Sequence, residues 1–160
     1  MQYLHSILRN RDDAEEAFQD TWVRVVEKIH RCDPHRPFAP WLFRIARNRA
    51  YDQLRHRRRW SFFSLESPGR EPRPDPGSDP KAALERMVAR DLAARLLPQL
   101  EAPFREVIWL RFYREGSYEE IAEICGAPVG TVKSRLRRAL DQLGTLLERM
   151  ETHEDEDASR

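Results

Sequence analysis

Apolar residues recur every three or four positions along most of the chain, and the alternation a half-buried strand needs is nearly absent. The spacing predicts a short helix over Gln2 to about Leu8. It predicts a second from about Asp12 to His30, with Ala14, Ala17, Phe18, Thr21, Trp22, Val25, Val26 and Ile29 on one face. Asp12 or Asp13 can cap its free amides, and Glu15 and Glu16 suit the positive end of its dipole. Pro34, Pro37 and Pro40 make Cys32 to Pro40 a loop, Pro40 also fitting the first turn of the next helix. That helix runs from about Trp41 to Arg58. Its buried face is expected to hold Trp41, Leu42, Ile45, Ala46, part of Arg49, and Leu54.

The pattern fails over 61–79, where Pro68, Pro72, Pro74, Pro76, Gly69 and Gly77 exclude helix and sheet. This segment reads as a linker. Extended, it would reach roughly 60 Å at about 3.1 Å per residue, more than one turn of DNA at about 34 to 36 Å. Helical spacing resumes with Asp79 as cap and Pro80 in the first turn. Helix 80–97 would bury Leu84, Met87, Val88, Leu92 and Leu96, and Pro98 ends it. Helix 103–113 carries Phe104, Val107, Ile108, Leu110 and Phe112, and Gly116 breaks the chain. The expected architecture is all-α: two small helical domains, 1–60 and 80–150, joined by a flexible linker over 61–79, the second a helix-turn-helix domain. An acidic tail, 151–160, is expected to be disordered.

Within the second domain, Ser117-Tyr118-Glu119-Glu120 is a capping box, its Ser and Glu satisfying each other's free amides. A short helix, Tyr118 to Ile124, follows. Gly126 stands where a left-handed residue is needed, and Pro128 restarts a helix. Val129, Val132, Leu136 and Leu140 then form an apolar stripe, leaving Thr131, Lys133, Ser134, Arg135, Arg137 and Arg138 on the remaining faces. An apolar back with a polar, basic front is what a major-groove recognition helix requires. Its first turns would reach base edges while neighbouring cations sit on phosphate.

Charge then changes the picture. Of 160 residues, 34% are charged, yet the net charge is only +1. The balance conceals segregation, with Arg crowding 44–59 and 135–138 and acid crowding 151–157, and local patches rather than the total set a binding field. Cys32 and Cys125 are far apart and suggest no disulfide framework. No signal peptide or membrane-spanning run is evident, so a cytoplasmic protein without membrane insertion is expected. His30, Cys32 and His35 lack a second ligand cluster and any convergent acid–base set, which argues against a metal enzyme.

Two stretches resemble a known family. Ser117-Tyr-Glu-Glu-Ile-Ala-Glu-Ile-Cys-Gly126 and Pro128-Val-Gly-Thr-Val-Lys-Ser-Arg-Leu-Arg-Arg-Ala-Leu140 are similar to region 4 of extracytoplasmic-function (ECF) sigma factors. Leu97-Pro98 and Phe104-Arg105-Glu106-Val107 also fit. Asp13-Ala-Glu-Glu-Ala-Phe-Gln-Asp20 resembles the polymerase-binding segment of region 2. Phe38-Ala-Pro-Trp-Leu-Phe-Arg-Ile-Ala-Arg-Asn-Arg-Ala-Tyr-Asp-Gln-Leu-Arg55 resembles its promoter-opening, −10-reading segment. Together the matches cover most of 3–147.

The resemblance implies a sigma factor that binds core RNA polymerase, recognises and melts promoter DNA, and does no catalysis itself. Thr131, Lys133, Ser134, Arg135, Arg137 and Arg138 would contact the −35 element. Arg44, Arg47, Asn48, Asp52 and Arg55, with the loop at 33–40, would engage the unpaired −10 element. Asp13, Glu16, Gln19 and Asp20 would dock on polymerase. No cofactor or metal is implied, and an anti-sigma factor is a further candidate partner. Opening the strands calls for aromatic and polar pockets beside a basic surface. Trp41, Phe43, Tyr51 and Trp60 are available, Trp41 having the spacing of a core residue. Family members usually carry another helix before the position of Tyr3, so residues 2–30 are expected to expose apolar surface unless a partner covers it. The rival reading is a stand-alone helix-turn-helix regulator that never meets polymerase and has no use for 13–20.

Overall fold

In the computed structural model, residues 1–60 and 92–158 are described. The expected linker 61–79, the Asp79–Pro80 helix start, and Leu84, Met87 and Val88 lie outside the described residues. Every regular element among those described is helical.

Helix α1, Gln2–Leu8, ends at Arg9 in the left-handed region (φ 59). Asn10, rather than Asp12 or Asp13, caps α2, Arg11–Lys28: its side chain accepts from the Asp13 amide at 3.0 Å. Capping one turn earlier leaves Asp12 and Asp13 in the first turn, where their charge suits the dipole. A 3-10 turn over Ile29–Arg31 closes this helix. Helix α3 spans Phe38–Trp60 and starts three residues before the expected Trp41. Pro40 is tolerated there because first-turn amides have no intrahelical acceptor.

In the second half, 92–96 is helical and a 3-10 turn follows over Leu97–Gln99. The single helix expected over 103–113 is two pieces: α4, Ala102–Ile108, and a π-turn, Trp109–Tyr113. The Arg114 amide donates to Trp109 O at 3.2 Å, the wider reach of a π-turn. That widening rotates Phe112 out to solvent. The left-handed residue at the break is Glu115 (φ 57), not Gly116. Gly116 suits a close approach instead, since a Cβ there would stand 3.1 Å from Leu110 O, tighter than ordinary van der Waals contact.

Helices α5, Tyr118–Cys125, and α6, Val129–Ala158, form the helix-turn-helix. The capping box is complete: Glu120 N donates to Ser117 Oγ at 3.2 Å and Ser117 N to Glu120 Oε2 at 2.9 Å. Gly126 ends α5 in the left-handed conformation (φ 59). The apolar stripe of α6 runs through Val132, Leu136 and Ala139, while Leu140 is exposed. The acidic segment 151–157, expected to be disordered, continues α6 to Ala158, because no Gly or Pro follows Gly144 to stop the helix.

The two helical halves pack against each other through one buried cluster. Tyr3, Leu4, Ile7 and Leu8 of α1 and Ala46 and Ala50 of α3 belong to the same buried cluster as Val107, Leu110, Ile121, Ile124, Val132 and Leu136. Helix α1 lies on α4, and α3 lies on α5. Leu8, Ala14 and Ala17 bind α1 and α2 into that cluster too, so the halves are not independently wrapped.

Candidate promoter and polymerase interface

The front of α6 is open. Lys133, Ser134, Arg137 and Arg138 are exposed and Thr131 is half-buried. Their spacing puts them opposite Val132, Leu136 and Ala139, which anchor the helix. Ser134 Oγ donates to Thr131 O at 2.9 Å, and the Lys133 ammonium sits 5.3 Å from the Tyr118 ring centroid. Arg135 differs from these. It is half-buried, and its Nη1 is enclosed without a hydrogen-bond partner among the described residues.

On α3, Arg44, Asn48 and Arg55 are exposed and Asp52 is half-buried, paired with Arg55. Arg47 is drawn into the interior. Its Nε donates to Glu106 Oε1 at 2.8 Å, and its guanidinium lies 4.4 Å from the Tyr51 ring centroid. Burial pulls the Arg47 pKa down, but the Glu106 carboxylate and its neighbours outweigh this, and the net shift is upward.

Glu106 is fully buried and also accepts from Tyr3 OH at 2.8 Å and, on Oε2, from Tyr51 OH at 2.8 Å. Burial and then the Glu106 charge push both phenols above the ordinary tyrosine range. Beside this cluster, burial pushes the Cys125 thiol up to about 12. Arg105, the next residue back, donates from Nε to Ser6 O and from Nη2 to Ile7 O, both at 2.8 Å, and from Nη1 to Leu100 O. Glu106 and Arg105 carried no sequence signal beyond fitting the region 4 pattern. Only the tertiary fold shows what they meet.

Phe43 is occupied as well, its ring 4.9 Å from Tyr3 and 5.9 Å from Trp109. Trp41 is half-buried, 5.4 Å from the Phe38 ring. The loop joins in through Arg36, whose guanidinium pairs with Glu123 of α5 at 3.2 Å.

On α2, Glu16 and Gln19 are exposed, whereas Asp13 and Asp20 are half-buried and tied to Arg57 (2.7 Å) and Arg49 of α3. Trp22, Val23, Val26 and Ile29 continue the exposed stripe, and Val26 is 73% exposed. The sequence reading placed Trp22, Val26 and Ile29 on one face with Val25, which is buried. The run holds too many apolar positions for one side of a helix, and that surplus was the available signal. The expected exposed apolar surface of 2–30 thus falls on α2. Helix α1 is covered by α4.

No group of three or more His, Cys, Asp or Glu among the described residues could hold a metal ion. No described helix is long and apolar enough to cross a membrane.

An exposed basic helix, a second arginine-rich helix and an exposed acidic-to-apolar stripe on α2 are the chemistry of a helical protein that meets nucleic acid and protein partners. Residues 1–60 match the Sigma-70 region 2 family and residues 90–143 the Sigma-70, region 4 family. The chain is 36% identical over 138 residues to the ECF RNA polymerase sigma factor RpoE of Cereibacter sphaeroides, covering 81% of this chain and 70% of that one. Its fold is similar to the sigma factor RpoE of Bartonella quintana solved in complex with the anti-sigma factor NepR: TM-score 0.73, 32% identity, 92% of this chain and 88% of that one. CnrH, solved with the cytosolic domain of CnrY, matches at TM-score 0.61 and 28% identity over 92% of this chain and 79% of that one. The chain belongs to the ECF RNA polymerase sigma factors, which bind core RNA polymerase and direct it to promoter DNA.

Proposed function

We propose that promoter recognition is divided between two surfaces of this chain, with no catalytic step of its own, in the cytoplasm. The front of α6 reads the −35 element. Lys133, Arg137 and Arg138 supply the accessible cations, Ser134 and Thr131 reach the groove beside them, and Arg135 adds a smaller contribution because it is half-buried. Arg44, Arg47, Asn48, Asp52 and Arg55 of α3 engage the melted −10 element. Glu16 and Gln19, with Asp13 and Asp20 behind them, dock on core polymerase. The apolar stripe Trp22, Val23, Val26 and Ile29 extends that docking surface.

The observation that carries this reading is the exposed basic front of α6 on a buried apolar back. The solved RpoE relative is bound to an anti-sigma factor, and a partner of that kind is proposed here too. The test is binding of the reconstituted holoenzyme to promoter DNA across a salt series. Arg137→Ala should weaken binding and lower the slope of log affinity against log salt by about one. Arg135→Ala should cost less. An unchanged affinity and slope for Arg137→Ala would remove α6 from the −35 element.

A further inference from the structure

The exposed cations on the front of α6 are not alike. Arg137 and Arg138 carry guanidinium groups, which stay charged throughout the range in which proteins work. Lys133 carries a primary amine, whose charge a covalent step can remove. The chain makes that choice rarely. Of its 28 lysines and arginines, only Lys28, Lys81 and Lys133 are lysines.

The surroundings of Lys133 leave its amine available. The residue is exposed near the start of α6, and among the described residues no carboxylate pairs with it. Its Nζ lies 5.3 Å from the centroid of the Tyr118 ring, and the Arg111 guanidinium lies 5.2 Å from the same ring. Arg111 is tied down separately, donating from Nη1 to Gly116 O at 2.9 Å. Neutralising Lys133 would therefore end one of two cation–ring contacts on Tyr118 and leave the other in place. Val132 and Leu136 anchor the helix from its buried side, so a bulkier group on Lys133 meets solvent and not the core.

We propose that Lys133 is an acylation site, that its substrate is a small acyl thioester, and that the modification weakens the hold of α6 on the −35 element. The effect on DNA rests on the assignment of α6 to that element. In the step, the ammonium first gives one proton to solvent, and the neutral amine attacks the thioester carbonyl. The C–N bond of an amide forms and the C–S bond breaks. The thiolate leaves with the electron pair and takes the second proton from nitrogen. Nothing is oxidised or reduced. The product is a neutral amide that no longer attracts a phosphate as a charge. Losing one phosphate-bound cation lowers the slope of log affinity against log salt by about one and, at about 0.1 M salt, weakens binding about fivefold to tenfold. Arg137 and Arg138 are untouched, so binding is graded downward and not abolished.

The test installs Nε-acetyl-lysine at position 133 of the full chain during translation and, in a second sample, at position 28. Binding of each reconstituted holoenzyme to promoter DNA is followed across a salt series, beside Arg137→Ala. Acetylation at 133 should lower the slope by about one and the affinity about fivefold to tenfold at about 0.1 M salt. Acetylation at 28, outside α6, should change neither. A separate arm uses a chain with Lys28→Arg and Lys81→Arg, in which Lys133 is the single lysine. It is incubated with acetyl coenzyme A, and the peptide carrying Lys133 is weighed by mass spectrometry. The free chain should gain one acetyl group there, and the promoter-bound holoenzyme should be protected.

If acetylation at 133 leaves slope and affinity unchanged while Arg137→Ala lowers both, the proposal is overturned and the −35 assignment stands. If neither change moves the slope, the −35 assignment fails and takes the proposal with it. A free chain that gains no acetyl group at Lys133 overturns the proposal because the amine is closed to a thioester. Equal labelling of free and promoter-bound chains overturns it because the amine then does not face DNA.

Discussion

Replacing Arg105 with Ala isolates the energetics of the boundary between the two halves. The side chain is 8% exposed and its guanidinium satisfies three carbonyls, Ser6, Ile7 and Leu100, on two separate segments. Burial pushes its pKa down to about 10, so the charge is held against desolvation yet is present at neutral pH. Two effects oppose each other on truncation. Removing a buried cation relieves its desolvation. Leaving carbonyls dry costs about 1–3 kcal/mol each, with a cavity contribution added. Two of the three carbonyls lie at the end of α1, where no intrahelical donor is available. The loss should prevail, at about 2–5 kcal/mol. At about 3 °C per kcal/mol for a chain of this size, the midpoint falls by about 6–15 °C. Arg105→Met, which keeps volume and removes the charge, should fall by less than Arg105→Ala. The assay is thermal unfolding followed by circular dichroism, with hydrogen exchange of the α1 amides as the local readout. A midpoint within about 2 °C of the parent, with α1 still protected, would refute the carbonyl argument, because surface substitutions produce shifts of that size.

Other consequences follow from the same geometry. Burial and the Glu106 charge raise the folded pKa values of Tyr3 and Tyr51 above the ordinary tyrosine value of about 10, so their contribution to stability is complete below about pH 10 and is lost as pH rises beyond it. Ultraviolet titration should show two of the four tyrosines ionising only together with unfolding; smooth ionisation of all four would contradict the cluster. Ser117→Ala removes half of the capping box and should cost about 1 kcal/mol, read as a lower urea midpoint with an unchanged slope. Val26→Glu alters a residue that is 73% exposed, so it should leave the unfolding midpoint within a degree or two while weakening core polymerase binding at least tenfold. Unaltered polymerase affinity would remove the apolar stripe of α2 from the docking surface.

The local elements were legible because their signals are local. The Gln2–Leu8 helix, the capping box at Ser117, the left-handed Gly126 and the apolar back of α6 all follow from residues within one or two turns of each other. The exposed cations of α6 follow from the same periodicity, which fixes which face is buried. Features that depend on distant partners were not legible. Periodicity says that Arg47 and Tyr51 lie about one turn apart on α3, but not that Glu106 stands between them. The π-turn at Trp109–Tyr113 escaped because one extra residue in a turn leaves no mark in composition, yet it decides that Phe112 is exposed. Hydrophobic periodicity groups Trp22, Val26 and Ile29 with Val25 on one face of α2 but does not say which of them the core covers. The two-domain reading followed the Pro-rich break at 61–79, and a break in the pattern does not say whether the flanking units touch.

The central claim, that this chain directs polymerase to promoters through two separate DNA contacts, is tested most directly by in vitro transcription. Purified core polymerase with and without the full chain is run on fragmented genomic DNA, and the transcript 5′ ends are sequenced. The account predicts new start sites that appear only with the chain and share two upstream motifs at fixed spacing. It further predicts that Arg137→Ala selectively weakens use of the upstream motif. Start sites identical with and without the chain, or new starts sharing only a single motif, would contradict it.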